Sequence, residues 1–241
     1  MSINKKSLDC ETLLYLARVS EQAGRHDEMA ELLYEFTKKL ARELSVEERS
    51  MLSVAYKNVV SARRSSFRVL QSIESVEKDS SHAHQMDIAA IYRKKVEKEI
   101  HGYCRQILEI LDTKLIPNSS SGEALVFYFK MKGDYHRYLC EFMTDEQKEE
   151  NSQKALRAYL EADRLSQIEL ISLNPIRLGL KLNFSVFYYE ILQNKEEACK
   201  LASSVLEEAN EYIVDFNEES FKDSALILEY IRDNLHLWNT E

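Results

Sequence analysis

The chain has 241 residues, with 32 Lys and Arg against 41 Asp and Glu, a formal net charge of −9 at pH 7. That balance argues against a general nucleic-acid binder, which needs a basic surface to neutralise phosphates. With only 5 Gly and 2 Pro the chain lacks the turn formers of a β-rich protein, and its 44% hydrophobic content suits a buried core rather than a disordered chain.

The N-terminus, Met1-Ser-Ile-Asn-Lys-Lys-Ser7, is polar, and no later stretch approaches the ~20 apolar residues of a membrane span; a soluble, intracellular protein is expected. Apolar residues recur three and four apart almost throughout, as at Leu13, Leu14, Leu16 and Ala17, and later at Val96, Ile100, Ile107, Leu108 and Leu111, so helix dominates. The expected breaks fall at Gly24, around Ser45, at Asp79–His84, at Ile116–Gly122, at Met143-Thr144, at Leu173-Asn174-Pro175, at Gln193-Asn194 and at Asp215–Asn217. They divide the chain into about nine helices, two of which, near 46–78 and 85–113, would each run ~45 Å at 1.5 Å per residue. Ser45 with Glu48 reads as a Ser-x-x-Glu capping box and Thr144 with Gln147 as a Thr-x-x-Gln box, while Asn174 precedes Pro175 at a first helical position. No 34-residue repeat marks a tetratricopeptide array. The Asn118–Gly122 loop is too short for a free linker, so one continuous helical unit is expected.

Catalytic signatures are missing: the sequence has no Gly-x-Gly-x-x-Gly, no Gly-x-x-x-x-Gly-Lys, no His-Glu-x-x-His and no Gly-x-Ser-x-Gly. Cys10, Cys104, Cys140 and Cys199 are widely spaced and read as reduced, mostly buried thiols. His82 and His84 lack a third ligand at a useful spacing, and Glu149-Glu150 and Glu218-Glu219 read as solvated charge. No metal site is expected.

The basic residues are more informative. Lys57 and Arg64 stand seven apart, on one helix face with Val60 between them, and Lys130 and Arg137 repeat that spacing with Tyr138 beside the arginine. If Arg64 and Arg137 met with Lys57 and the Tyr138 hydroxyl, they would offer forked, charge-assisted donors to a dianionic phosphate; ordinary solvated or salt-bridged helix faces are the alternative. Asn183, Val186 and Glu190 share one later face, and Leu226, Tyr230 and Asn234 another, with Ile227 alongside. An Asn amide both donates and accepts, so such a pair can clamp an extended peptide backbone; core packing around a satisfied amide is the other reading.

As a set these residues resemble the 14-3-3 family from about Ala23 to Trp238. The resemblance is carried by Leu52-Ser-Val-Ala-Tyr-Lys-Asn-Val-Val60 with Ala62-Arg-Arg-Ser-Ser66, by Phe127-Tyr-Phe-Lys-Met-Lys-Gly-Asp-Tyr135 with Arg137-Tyr138, by Asn174-Pro-Ile-Arg-Leu-Gly-Leu180 with Leu182–Ile191, and by Arg232–Trp238. It implies an all-α protomer of about nine antiparallel helices, cup-shaped around an amphipathic groove. It also implies a single domain over 1–241, dimerising through helices at about 7–44 and building the groove from about 45–238. Matched position by position, Lys57, Arg64, Arg137 and Tyr138 are implied to hold phosphate, and Asn183 and Asn234 the peptide backbone. Leu182, Val186, Leu226 and Ile227 are implied as the apolar wall, and Lys130, Glu190 and Trp238 as flanking polar positions. The implied dimer pairs Arg25 with Glu99 and Glu28 with Lys95, beside Tyr92 and a modifiable Ser66.

The implied activity is that of a non-enzymatic adaptor for phosphoserine and phosphothreonine clients, without cofactor, nucleic acid or membrane. It would act as a homodimer, or a heterodimer with a paralogue, in the cytoplasm and also the nucleus. Departures from the family pattern are Tyr230 for leucine, Lys181 for alanine, Ser61 for glycine, Phe67 for tryptophan and His136 for tyrosine, with Gly24 and His26 around Arg25. Tyr230 and Lys181 support the alternative, a diverged helical scaffold that binds unphosphorylated or acidic segments.

Overall fold

Helix starts and stops follow local chemistry. The computed structural model describes residues 4–79, 83–212 and 222–240. Among these residues it holds α1 (Cys10–Gln22), α2 (His26–Lys39), α3 (Val46–Asp79), α4 (Ala83–Ile110), α5 (Gly122–Cys140), α6 (Asp145–Glu169), α7 (Pro175–Glu190), α8 (Lys195–Tyr212) and α9 (Lys222–Thr240). No strand occurs among the described residues. The expected break at Asp215–Asn217, together with His82 and Glu218-Glu219, lies outside them.

At α1, Asp9 accepts the Thr12 N–H at 2.7 Å, satisfying one of the donors that a helix start leaves unpaired. Gly24 stops that helix with φ +67°, a left-handed turn that a Cβ disfavours. The Ser45 box forms in both directions, Ser45 N to Glu48 Oε2 at 2.7 Å and Glu48 N to Ser45 Oγ at 3.2 Å. Arg42 then closes a fork on both Glu48 oxygens at 2.7 Å each. Asn174 caps α7 through Ile176 N at 2.8 Å, with Pro175 at the first helical position. The expected Thr144 box does not form. Thr144 occupies the cap position in extended backbone, but its side chain makes no capping bond; the first-turn residues Asp145, Glu146 and Gln147 are exposed, so water can satisfy their N–H groups.

The two long helices are present, α3 with 34 residues and α4 with 28. Beyond the sequence reading, α4 runs on into a five-residue π turn, Leu111–Leu115, that buries Leu111 and Leu115.

The chain divides into two compact units inside the loop before α5, one up to Asn118 and the other from Ser119. In the first, α1 packs on α2, α3 on α4, and α2 bridges to both α3 and α4. Leu13, Met29, Leu33, Phe36, Tyr56, Ile100 and Ile107 are fully or almost fully buried there. In the second, α5 and α6 form the most intimate pair, and α7 packs on α5, α6, α8 and α9. Its core has two parts, one around Val126, Tyr159, Ala162, Phe184 and Phe187, the other around Leu178, Ala202, Val205, Leu228, Ile231 and Trp238. None of the four cysteines is in a disulfide; Cys104 and Cys140 are buried, and Cys10 and Cys199 partly so. Burial pushes the Cys140 thiol up to about 11, which keeps it protonated and unreactive at neutral pH.

Candidate functional site

Lys130, Asp134 and Arg137 are spaced four and three along α5 and therefore share one face. Asp134 is buried and takes groups from three helices. Its Oδ2 accepts from Lys130 Nζ at 2.8 Å, and its Oδ1 accepts from the Tyr159 hydroxyl of α6 at 2.6 Å and from Asn183 Nδ2 of α7 at 2.8 Å. Tyr159 in turn accepts Arg137 Nε at 3.3 Å. The close approach of α6 depends on Gly133, where a Cβ would stand 2.7 Å from the Tyr159 ring.

Arg137 is 6% exposed, lies over the Tyr138 ring at 4.7 Å, and has its Nε committed to Tyr159. Among the described residues its terminal amines reach carboxylates only at ion-pair range, Nη2 to Asp134 at 3.9 Å and Nη1 to Glu190 at 4.0 Å. Burial works against its charge, yet Tyr159, Tyr138 and Asp134 hold its pKa above the ordinary value. Asp134 shows the converse: burial opposes its charge, but Lys130 and Arg137 keep its pKa below the usual carboxylate range. Tyr159, buried beside that carboxylate, is held well above the ordinary phenol value. A desolvated guanidinium whose terminal amines stand beyond hydrogen-bond range of these two carboxylates is suited to an oxyanion.

Lys57 and Arg64 lie on α3 in the first unit, Lys57 exposed and Arg64 half-buried. Val60, between them in sequence, is fully buried, so that row runs along the edge of the α3 core face. In the second unit Leu182 and Val186 of α7 and Ile227 of α9 are half-buried against the α8–α9 core. Leu226 and Tyr230 are 49% and 50% exposed, Asn234 is half-buried, and Glu190 is exposed.

Three further positions are buried. Trp238 is 3% exposed and stacks on Tyr189 at 4.8 Å. Lys181 turns inward, buried, with Nζ 2.6 Å from Asp163 Oδ1 on α6, so it gives no support to an altered groove. His136 is buried, its Nδ1 2.8 Å from Asn151 Oδ1, and serves packing between α5 and α6.

The residues matched to a dimer surface are paired within the chain. Arg25 Nε donates to Glu28 Oε2 at 2.9 Å, and Glu99 accepts Arg63 Nε at 3.0 Å, with Asp27 also on Arg63 at 2.8 Å. Tyr92 is 54% exposed with Lys95 Nζ 5.6 Å from its ring centre. Ser66 is exposed, its hydroxyl donating to Ala62 O at 3.0 Å.

Among the described residues no three His, Cys, Asp or Glu side chains gather as a metal site, and no helix is long and apolar enough to cross a membrane. Sequence reasoning missed Asp134 and Tyr159. Asp134 carried a readable signal, its spacing of four from Lys130 and three from Arg137; Tyr159 carried none beyond the glycine that makes room for its ring.

The family model described as 14-3-3 protein matches residues 16–239. The chain is 49% identical to a 14-3-3-like protein, GF14 iota, of Arabidopsis thaliana, over 100% of this chain and 90% of that one. It is 47% identical to 14-3-3 protein I of Plasmodium falciparum, over 98% and 91%, and 48% identical to a 14-3-3-like protein of Chlamydomonas reinhardtii, over 98% and 91%. The chain belongs to the 14-3-3 family.

Proposed function

We propose that Arg137 and Tyr138, with Lys57 and Arg64, hold the phosphate of a client's phosphoserine or phosphothreonine, while Asn183 and Asn234 hold the flanking peptide backbone. That the chain is a phosphoserine- and phosphothreonine-binding adaptor follows from its family; this assignment says which of its residues perform that role. The observation that carries it is Arg137: a buried cation whose side nitrogen is fixed by Tyr159 and whose terminal amines, among the described residues, meet no carboxylate at hydrogen-bond range. A phosphate brings about −1.5 to −2 charges at neutral pH, so such a cation favours it over a neutral serine. Leu182, Val186, Leu226, Ile227 and Tyr230 supply the apolar side of the groove and Lys130 and Glu190 its polar flank.

We further propose a non-enzymatic protein that needs no cofactor, works in the cytoplasm and nucleus, and dimerises with a second copy or a paralogue through Arg25, Glu28, Ser66, Tyr92, Lys95 and Glu99. Two grooves in one dimer would raise avidity for doubly phosphorylated clients. Lys57→Glu is the test of the pocket. Lys57 is exposed, so helicity by circular dichroism should be unchanged while affinity for a phosphopeptide is lost; unchanged affinity would remove Lys57 from the pocket.

A further inference from the structure

We infer that Asp134 is a positioning residue that fixes the side-chain amide of Asn183, turning its nitrogen inward and its carbonyl oxygen toward the bound chain. The inference rests on the assignment of Asn183 as a backbone clamp and adds the direction in which that clamp reads.

Hydrogen-bonding capacity decides the orientation. A free Asn amide turns over easily, and either face can meet a ligand. An ionised carboxylate only accepts, and Asp134, between Lys130 and Arg137, is kept ionised by both cations. Its neighbour on α7 must therefore present N–H, which is the arrangement found, Nδ2 to Oδ1 at 2.8 Å. Turning the amide would place a carbonyl oxygen against a carboxylate oxygen. Oδ1 also takes the Tyr159 hydroxyl and Oδ2 takes Lys130, so the carboxylate is held from three sides and cannot rotate to accommodate a turned amide. One Asn183 N–H is thus consumed internally. The carbonyl oxygen, on the opposite edge of the amide plane, is left as the acceptor for a backbone N–H of the ligand.

The test is fluorescence anisotropy with a labelled arginine-rich phosphoserine peptide and a series of analogues in which one backbone amide at a time is replaced by an ester, deleting its N–H. Wild type should lose about fivefold or more in affinity for one analogue, the size of a net hydrogen bond. Asn183→Ala should flatten that position to within about twofold. Asp134→Ala should flatten it too, because the amide is released to turn. A mere loss of packing at Asp134 would weaken every analogue alike and leave the profile unchanged, so an Asp134→Ala profile like that of wild type overturns the inference.

Should Asp134→Ala fail to fold in a thermal melt, the reversed pair Asp134→Asn with Asn183→Asp decides. It restores the inward hydrogen bond with opposite polarity and keeps an oxygen facing outward, so the sensitive position should persist, and its disappearance overturns the inference. Equal affinity of wild type for the phosphorylated and unphosphorylated peptides would overturn the phosphate assignment, while the ester profile would still decide the role of Asp134. Binding of neither peptide would overturn both.

Discussion

Gly133→Ala probes the geometry beneath the site. A Cβ at this position would lie 2.7 Å from Cδ1 and Cε1 of Tyr159 and 2.9 Å from its Cγ, against an ordinary carbon contact of about 3.5–4.0 Å. The ring has no room to retreat: Tyr159 is fully buried, stacked on Phe184 at 5.2 Å and packed on Phe187 at 5.4 Å. Overpacking of this kind costs about 1–3 kcal/mol, while exchanging a helical glycine for alanine returns about 0.5–1 kcal/mol. The net loss of up to about 2.5 kcal/mol corresponds to a melting temperature lower by up to about 10 °C for a chain of this size. Because the Tyr159 hydroxyl links Arg137 to Asp134, phosphopeptide affinity should fall as well. Gly102→Ala is the control: a Cβ there would meet no atom within 4 Å beyond its chain neighbours and its own helix backbone, and it sits exposed inside α4, so it should stabilise by about 0.5–1 kcal/mol with affinity unchanged. Thermal melts by circular dichroism with peptide anisotropy read both effects. A Gly133→Ala protein that melts at or above wild type would refute the close-approach argument.

Arg42 and Ser45 hold the Glu48 carboxyl below its ordinary pKa. Its stabilisation is therefore full above the unfolded value of about 4.3 and is lost as pH falls through the folded value. Denaturant midpoints of wild type and Glu48→Gln should differ most near neutral pH and converge below about pH 4; a pH-independent difference would contradict the pairing. Lys181→Met should cost about 1–3 kcal/mol by leaving Asp163 without its cation, with phosphopeptide affinity unchanged; a selective loss of affinity would return Lys181 to the groove. The proposed dimer should weaken as salt is raised, read as a falling mass in light scattering; a monomer mass at low salt and micromolar protein would contradict it.

The helices were legible because their punctuation is local. Gly24, the Ser45–Glu48 box and Asn174-Pro175 each act within one turn of chain, and the structure places helix ends at all three. The Thr144 box failed because an exposed helix start can be capped by water as well as by a side chain, and sequence spacing does not reveal which. The π turn at Leu111–Leu115 gave no signal, since apolar periodicity continues through it. Within the site, the seven-residue spacing of Lys130 and Arg137 pointed to one face, but the carboxylate between them and the Tyr159 hydroxyl that ties them together come from packing α5 against α6. The direction of Lys181 is set the same way: its departure from the family pattern points to an altered groove, whereas Asp163 on the neighbouring helix draws it inside.

Phosphate reading by Arg137 is what the assigned site stands on. Its sharpest test is anisotropy of one labelled arginine-rich peptide, in phosphorylated and unphosphorylated form, against wild type and Arg137→Ala. Micromolar or tighter binding of the phosphorylated peptide alone is expected, lost in the variant while the helical signal is retained. Equal binding of both peptides, or an Arg137→Ala protein that binds the phosphopeptide as wild type does, would remove Arg137 from that role.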